Sequence, residues 1–269
     1  MNIKDIQNLE FEALSQLNEF CSKHDITFYL RGGSVMGAIK YKGFVPWDDD
    51  VDIAIPRDDF NRLIQLSLKE SFSSQFEIIS YHSHSDARCY FPRVYLKKEY
   101  QEELNLPSNN HIGVAVLDIL PLDGAPSTKI GRGIYYLKIY CLRILGSLAT
   151  ANMTGHKWYR QVFLKLLSLL QLQKLYSSND IYQLLDNVYS RNDVGTSKFI
   201  GTITGSLYSK EIFPREIWGD GTKVPFEEGE FLVPEEYDIY LKKLYGDDYL
   251  TTIPKKKDIE FKKHIKEVD

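Results

Sequence analysis

Apolar residues recur with two different periods along the chain, and the period separates helices from strands. Between residues 3 and 24 they return every three or four positions, which predicts an amphipathic helix with one buried face. Helical spacing returns at 58–70. Short apolar runs bounded by turn residues predict strands at 26–30, 53–55, 76–81, 90–98 and 113–124. Pro92 favours an edge position for its strand, because proline cannot donate to a sheet. We therefore expect an α+β fold.

The pattern changes twice after these elements. Residues 126–192 consist of long helical stretches, and turn-forming glycines return between 193 and 269. We therefore divide the chain into a catalytic core at 1–125, an all-helical insert at 126–192 and a C-terminal segment at 193–269, which we expect to complete the active site.

An acidic cluster precedes the strand at 53–55. Side chains alternate between the faces of a strand, so Val51, Ile53 and Ile55 should face the core. Asp50 and Asp52 should then share the opposite face, with Asp48 in line just before them. Carboxylates this close repel each other unless a cation lies between them. Hard cations such as Mg²⁺ bind carboxylate oxygens and leave positions open for phosphates, so the cluster is a candidate metal site.

Two glycines break the chain after the strand at 26–30. The backbone N–H groups of Gly32 and Gly33 have no side chain in front of them, and with Ser34 they can approach phosphate oxygens. A Gly-Gly pair alone is more often a plain turn, and an acidic run alone is more often a solvated loop. The combination of strand, Gly-Gly-Ser, about fifteen residues and Asp-x-Asp entering a strand is much more specific.

A further carboxylate lies inside the apolar strand at 113–124. Asp118 is costly to bury unless it is paired, which favours a third acidic residue of the metal site over a turn cap at the end of the strand. Asp123, followed by Gly124, has the sequence of a turn, and we expect it there.

Composition excludes several classes of protein. The 269 residues are 43% hydrophobic and 26% charged, with a formal net charge of −4, so no nucleic-acid partner is expected. The three cysteines are isolated, which argues against a zinc site or a disulfide scaffold. The first residues lack the apolar region of a signal peptide, and no apolar run is long enough to span a membrane. We expect a cytoplasmic protein.

The acidic stretch is similar to the polymerase-β-like nucleotidyltransferase fold and, more closely, to the LicD family, which includes bacterial phosphocholine transferases and resembles the fukutin-type ribitol-phosphate transferases. Three stretches carry the resemblance: 31–53, with Arg31-Gly32-Gly33-Ser34 and Trp47-Asp48-Asp49-Asp50-Val51-Asp52; 117–124; and 224–249. At two places the C-terminal stretch has one residue more than the family usually shows, at Glu227-Glu228-Gly229 and at Asp247-Asp248-Tyr249.

The resemblance implies a nucleotidyltransferase-type mixed sheet flanked by helices. It also implies transfer of a phospho-alcohol from a CDP-activated donor to a sugar hydroxyl of a cell-surface glycan precursor, such as teichoic acid or polysaccharide, with release of CMP. CDP-choline is the expected donor, and CDP-glycerol and CDP-ribitol are the alternatives. A true nucleotidyltransferase that releases pyrophosphate has the same fold. A calcium-binding module is disfavoured, because Ile53 and Asp59 stand where a calcium loop needs Gly and Glu.

These expectations assign roles to individual residues. Asp50 and Asp52 should hold Mg²⁺, or Mn²⁺ in its place, with Asp118 as the third ligand or as the base. Asp48 is assigned either to a second metal or to the base. Arg93 can face the same cleft, or it can be a solvated surface residue. Trp47 can present an aromatic face to choline, or it can pack in the core. The expected substrate-binding residues are Arg31, Gly32, Gly33, Ser34, Trp47, Arg93 and Glu227.

The insert is basic as well as apolar. Residues 126–179 contain eight lysines and arginines, among them Arg143 and Lys157, and no acidic residue, although the whole chain is negative. Two interpretations stay open: a helical hairpin that docks reversibly on an anionic membrane, and a hairpin packed on the acidic catalytic body. A lipid-linked glycan acceptor would favour docking and peripheral contact with the inner face of the membrane.

Overall fold

The computed structural model describes residues 3–84, 90–104, 114–150, 177–205 and 208–252. Its helices are α1 (Ile3–Lys23), α2 (Gly32–Tyr41), α3 (Arg57–Ser67), α4 (Lys98–Glu103), α5 (Lys129–Thr150), α6 (Ser178–Tyr189), a short 3-10 helix (Tyr208–Glu211), α7 (Arg215–Trp218) and α8 (Tyr237–Tyr245). Its strands are β1 (Tyr29–Leu30), β2 (Asp52–Pro56), β3 (Phe76–Ile79), β4 (Arg93–Leu96), β5 (Val114–Ala125), β6 (Phe199–Gly201), β7 (Ile212–Pro214), β8 (Thr222–Phe226) and β9 (Gly229–Val233).

Seven strands form one mixed sheet. Its central order is β1-β2-β5-β4-β3, and β6 and β7 extend it from the far end of β5. β2 and β5 are parallel, whereas β1 pairs with β2 and β4 pairs with β5 in antiparallel fashion. β8 and β9 form a separate hairpin. Helices flank the sheet, and the prediction of an α+β fold with a mixed sheet is confirmed.

The alternation predicted at the acidic strand is confirmed. Val51, Ile53 and Ile55 are at most 1% exposed, Asp50 is exposed, and Asp52 is partly so. Burying each of these aliphatic side chains stabilises the fold by about 1.5–3 kcal/mol. A one-residue slip of β2 would turn Asp52 into this core, so burial fixes the register that presents the carboxylate.

Two local predictions are wrong. Asp123 is not a turn residue: it lies inside β5, fully buried, and its carboxylate is 2.6 Å from Arg57 Nε. Arg57 also contacts Asp186 of α6, so this arginine links the helical insert to strand β5. Pro92 does not mark an edge strand, because β4 lies between β3 and β5. It comes just before the first paired residue of β4, where no ladder hydrogen bond from its nitrogen is needed.

The described parts of the insert are helical. α5 and α6 pack on each other around Tyr135, Ile139 and Leu185. Predictions for residues 151–176, including Lys157, and for 253–269 lie outside the described residues. The boundaries at 125 and 192 remain predictions. Within the described ranges, no helix has the length and apolarity needed to cross a bilayer.

Candidate active site

Three neighbouring strands bring two carboxylates and a guanidinium into one row. Asp52 of β2 lies directly opposite Asp118 of β5, and Asp118 lies opposite Arg93 of β4. Adjacent strands are about 4.8 Å apart, so these side chains are immediate neighbours. The Nε atom of Arg93 is 2.6 Å from Oδ1 of Asp118. The fold therefore joins residues that lie 66 positions apart in sequence at Asp52 and Asp118.

A second arginine contacts the other carboxylate. Nη1 of Arg31 donates to Oδ2 of Asp52 at 2.7 Å, and its Nε donates to the hydroxyl of Thr202 at 3.2 Å. Its Nη2 forms an ion pair with Glu211, which is fully buried and also accepts from Thr202. Arg31 is thus held by the C-terminal segment and in turn holds Asp52. Its role as a substrate-binding residue remains a prediction.

Sequence reasoning did not find Glu211 or Thr202. Glu211 lies in the short 3-10 helix, in a stretch without a recognisable motif, and its partner Arg31 is 180 residues away. The chain offers no local signal for such a pair. The segment reaches Arg31 because β6 pairs with β5 and β7 pairs with β6, which attaches the C-terminal segment to the main sheet.

The electrostatics of the site favour a bound cation. Burial raises the pKa of Asp52 to about 7; Arg31 opposes this shift, whereas the charges of Asp118 and Asp50 add to it. Burial also raises the pKa of Glu10 in α1 well above its ordinary value, and the charge of the aspartates at 48–50 adds to that shift. A positive charge among these carboxylates would lower their pKa values and relieve their repulsion.

Two of the predicted ligands have the chemistry that a magnesium site requires. Within the described ranges, no group of three or more acidic, histidine or cysteine side chains is arranged to hold a metal ion. Asp50, Asp52 and Asp118 therefore do not form a finished three-ligand set here. Mg²⁺ is usually held by one or two carboxylates, with phosphate oxygens and waters in the other positions. Asp52 and Asp118, opposite each other on adjacent strands, suit that arrangement.

The Gly-Gly turn starts α2 beside these carboxylates. Gly32 has a φ of +54°, a left-handed conformation that a side chain disfavours, and its N–H donates to the hydroxyl of Tyr240 at 2.9 Å. The hydroxyl of Ser34 accepts from the N–H of Asp52 at 3.0 Å. Gly33 is confined by Asp48, since a Cβ there would lie 2.9 Å from its Oδ2 atom. Their predicted role as a phosphate cradle remains a prediction.

Helix α1 holds in place the acidic loop, residues 42–51 between α2 and β2. The side-chain amide of Gln7 donates to the carbonyls of Val45, at 3.2 Å, and Asp48, at 2.9 Å. This fixes the loop against Gly33 and leaves the Asp48 side chain at a cavity of about 290 Å³. Asp50 is exposed.

The cavity next to Asp48 is largely aromatic. Four rings line it, together with Gly33, Met36, Lys40, Val45 and Thr252: Tyr41, Trp47, Tyr245 and Tyr249. Trp47 is half-buried and meets the edge of Tyr41 with the ring centroids 6.1 Å apart. It lines the cavity rather than the main core. Tyr245 and Tyr249 lie in the stretch at 224–249 that resembles the LicD family, and no role was predicted for them.

Glu227 contacts the backbone at the start of the acidic loop. It lies in the tight turn between β8 and β9 with a φ of +49°, and its carboxylate accepts from the N–H of Phe44 at 3.2 Å. Its other oxygen is 3.3 Å from Nζ of Lys4. These contacts place it at the start of the acidic loop; its predicted contact with substrate remains a prediction.

A mixed sheet that carries paired aspartates next to a Gly-Gly helix start defines a nucleotidyltransferase-type domain. Comparison with known proteins agrees: residues 25–115 match the family described as LicD/FKTN/FKRP, nucleotidyltransferase domain. Residues 25–115 of this chain are thus similar to the nucleotidyltransferase domain of the LicD family.

Relatives among known proteins support this assignment. The chain is 22% identical over 261 residues to the lipopolysaccharide cholinephosphotransferase LicD of Haemophilus influenzae, which covers 92% of this chain and 91% of the relative. It is also 30% identical over 71 residues to an uncharacterized protein of Rickettsia prowazekii, covering 26% of this chain and 24% of that protein.

Proposed function

We propose that this protein transfers phosphocholine from CDP-choline to a sugar hydroxyl of a cell-surface glycan precursor and releases CMP. The observation that carries the proposal is the pairing of Asp52 with Asp118 on adjacent parallel strands, each contacted by an arginine. Such a centre suits a diphosphate, because phosphoryl transfer depends chiefly on positioning and charge neutralisation. The name of the Haemophilus relative supports phosphocholine as the group and a glycan as the acceptor.

The reaction is a displacement at the phosphorus that carries choline. The acceptor oxygen bonds to this phosphorus, the bond from phosphorus to the bridging oxygen of the diphosphate breaks, and CMP leaves with the electron pair. The hydroxyl proton passes to a carboxylate, Asp48 or Asp118. Asp118 is engaged by Arg93, which leaves Asp48, at the cavity, as the base.

Mg²⁺, held by Asp52 and Asp118, would neutralise the charge of the diphosphate and of the departing CMP. The protein's own groups supply the rest of the arrangement. Arg31 holds Asp52 in place, Arg93 holds Asp118, and the positive end of α2 at Gly33 attracts phosphate oxygens.

We further propose that α5 docks the enzyme on an anionic membrane that carries the acceptor. Four large side chains of α5 at helical spacing are 60–79% exposed: Ile130, Ile134, Leu137 and Tyr140. Exposed lysines at 129 and 138 flank this α5 stripe, and helix α5 contains no acidic residue. Such a surface suits an interfacial helix.

The prediction that every basic residue of the insert is available to a membrane is wrong for Arg143. Arg143 is buried: its Nε donates to the hydroxyl of Tyr189 at 3.0 Å, and it also donates to the carbonyl of Thr204. It therefore packs α5 on the body of the protein and does not face a membrane.

Product analysis tests the transfer reaction. Purified protein with Mg²⁺ is incubated with CDP-choline, CDP-glycerol or CDP-ribitol, and separately with CTP and phosphocholine, with sugars and water as acceptors. We expect CMP from CDP-choline at the highest rate. Pyrophosphate from CTP without CMP from any CDP-alcohol would instead identify a true nucleotidyltransferase, which the same fold supports. Faster CMP release from CDP-glycerol or CDP-ribitol would change the assigned donor only.

A further inference from the structure

We propose that the aromatic cavity beside Asp48 binds the trimethylammonium group of choline and so selects the donor. This inference rests on the proposed phosphocholine transfer and assigns a site to its cation. Two rings come from the acidic-loop side, Tyr41 and Trp47, and two from the C-terminal segment, Tyr245 and Tyr249. The cavity exists only where these segments meet.

The chemistry of the lining fits a quaternary ammonium better than a polyol. A trimethylammonium group cannot donate classical hydrogen bonds, and aromatic faces attract it through their negative quadrupoles. Most of the lining residues are aromatic or aliphatic, and the Asp48 carboxylate adds a negative charge at one side. The ammonium of Lys40, 5.5 Å from the centroid of the Tyr41 ring, is a positive charge at the opposite wall, so Trp47 and Tyr245 are the rings whose faces we assign to choline. A polyol phosphate would instead need several hydrogen-bonding groups to replace its water.

The cavity also lies at the correct place for the donor. Gly33 belongs both to its lining and to the helix start that we propose as the phosphate-binding site. The hydroxyl of Tyr245 and Oδ2 of Asp52 lie at the same distance, 3.8 Å, from the position that a Cβ on Gly32 would occupy. The ring wall thus meets the metal-binding carboxylate at the Gly-Gly turn, as the short link between phosphate and ammonium requires.

The wall from the C-terminal segment is fixed in place. Nζ of Lys40 donates to the carbonyls of Tyr249, at 3.3 Å, and Thr252, at 2.9 Å, while the Tyr249 hydroxyl lies 3.0 Å from Asp238. The ammonium of Lys40 is therefore engaged at the wall. Trp47 is half-buried and Tyr245 is 43% exposed, so truncating either ring disturbs the core less than truncating Tyr249, which is 4% exposed.

Cytosine is the competing occupant, because aromatic rings also stack on a base. The two groups differ in charge, and they occur in different ligands. Cytosine is present in CMP and in every CDP-alcohol, whereas the cation is present only in choline compounds. Comparison of donors therefore separates them.

The test uses Trp47→Leu and Tyr245→Leu, which remove a ring, and Trp47→Phe and Tyr245→Phe, which retain one. Tyr100→Leu is the control for loss of a half-buried tyrosine outside the cavity. For each protein, kcat/KM is measured for CDP-choline and CDP-glycerol, together with the inhibition constant of CMP. Calorimetry compares binding of phosphocholine with that of its isostere 3,3-dimethylbutyl phosphate, which keeps the phosphate and has a neutral tert-butyl group in place of the trimethylammonium.

We expect each leucine substitution to lower the ratio of kcat/KM for CDP-choline over CDP-glycerol about tenfold, and the phenylalanine variants to keep most of it. Wild-type protein should bind phosphocholine more tightly than the neutral isostere, and Trp47→Leu should reduce that difference. Equal losses for both donors, with weaker CMP inhibition, would overturn the inference and place cytosine in the cavity.

Failure of the proposed reaction has a different signature. If wild-type protein releases CMP from neither donor, phosphocholine transfer is wrong, and the calorimetry still decides what the cavity binds. Equal binding of phosphocholine and its neutral isostere would overturn the cation site even if the enzyme transfers phosphocholine.

Discussion

Replacing Glu211 by glutamine removes one charge from a buried network while keeping the shape of the side chain. Glu211 has no exposed side-chain surface, and it accepts from both Arg31 and Thr202. Hydrogen bonds to charged groups contribute about 1.5–3 kcal/mol, so we expect the free energy of unfolding to fall by that amount. Glu211→Ala should cost about 3–5 kcal/mol, because it also leaves the guanidinium short of a partner.

Chemical denaturation followed by circular dichroism measures these losses. Glu216→Gln is the matched control, an exposed glutamate in α7 that should change stability by less than about 0.5 kcal/mol. Thermal midpoints should fall by roughly 2–4 °C per kcal/mol. A double variant, Glu211→Gln with Arg31→Met, should lose less than the sum of the two single losses, because the residues interact directly.

The same substitution has a functional consequence. Glu211 orients Arg31, and Arg31 orients Asp52, so the folded Glu211→Gln protein should bind Mg²⁺ about 10–100-fold more weakly than wild type. Unfolding and Mg²⁺ affinity both indistinguishable from the Glu216→Gln control would refute the reasoning that this buried network positions the carboxylate.

Three further predictions follow from burial and exposure. The pKa of Asp52 is about 7 in the folded state and about 3.9 in the unfolded state, so between these values the metal-free folded state binds more protons than the unfolded state. The free energy of unfolding should therefore fall as pH rises from about 4 to 7. Asp52→Asn or added Mg²⁺ should reduce that fall. Wild type should sediment with anionic vesicles at low salt, whereas the double variant Ile134→Glu with Leu137→Glu should stay in the supernatant. The control Leu104→Glu with Leu250→Glu, at exposed leucines outside α5, should still sediment. No binding by wild type would contradict docking. Iodoacetamide should modify the exposed Cys141 far faster than the buried Cys21, whose thiol pKa burial raises to about 12, and equal rates by peptide mass mapping would contradict the packing of α1.

Local patterns predicted much of the fold. The helical spacing at 3–24 became α1, and alternation placed Ile53 and Ile55 in the core and Asp52 at the surface of the sheet. These inferences succeed because burial of a periodic face is decided by neighbouring residues alone. Asp118 was predicted as a site residue for a related reason: a carboxylate in an apolar strand needs a partner, and the structure shows one in Arg93.

Long-range pairing explains what local patterns missed. Asp123 resembles a turn residue because glycine follows it, yet Arg57 and the pairing of β5 with β6 keep it inside a strand. Glu211 and Tyr240 reach the Gly-Gly turn only after the C-terminal segment folds back on the sheet. No spacing within one element could reveal those contacts.

The central claim is that Asp52 and Asp118 form one reaction centre for transfer of phosphocholine. Its most direct test is CMP release from CDP-choline by Asp52→Asn, Asp118→Asn and the double variant, each shown to be folded, with Asp58→Asn in α3 as an exposed control. We predict that each single substitution lowers kcat about 10²–10³-fold and that the double variant is little worse than the weaker single one, because the two carboxylates act together. Turnover close to wild type in either folded single variant would contradict the claim.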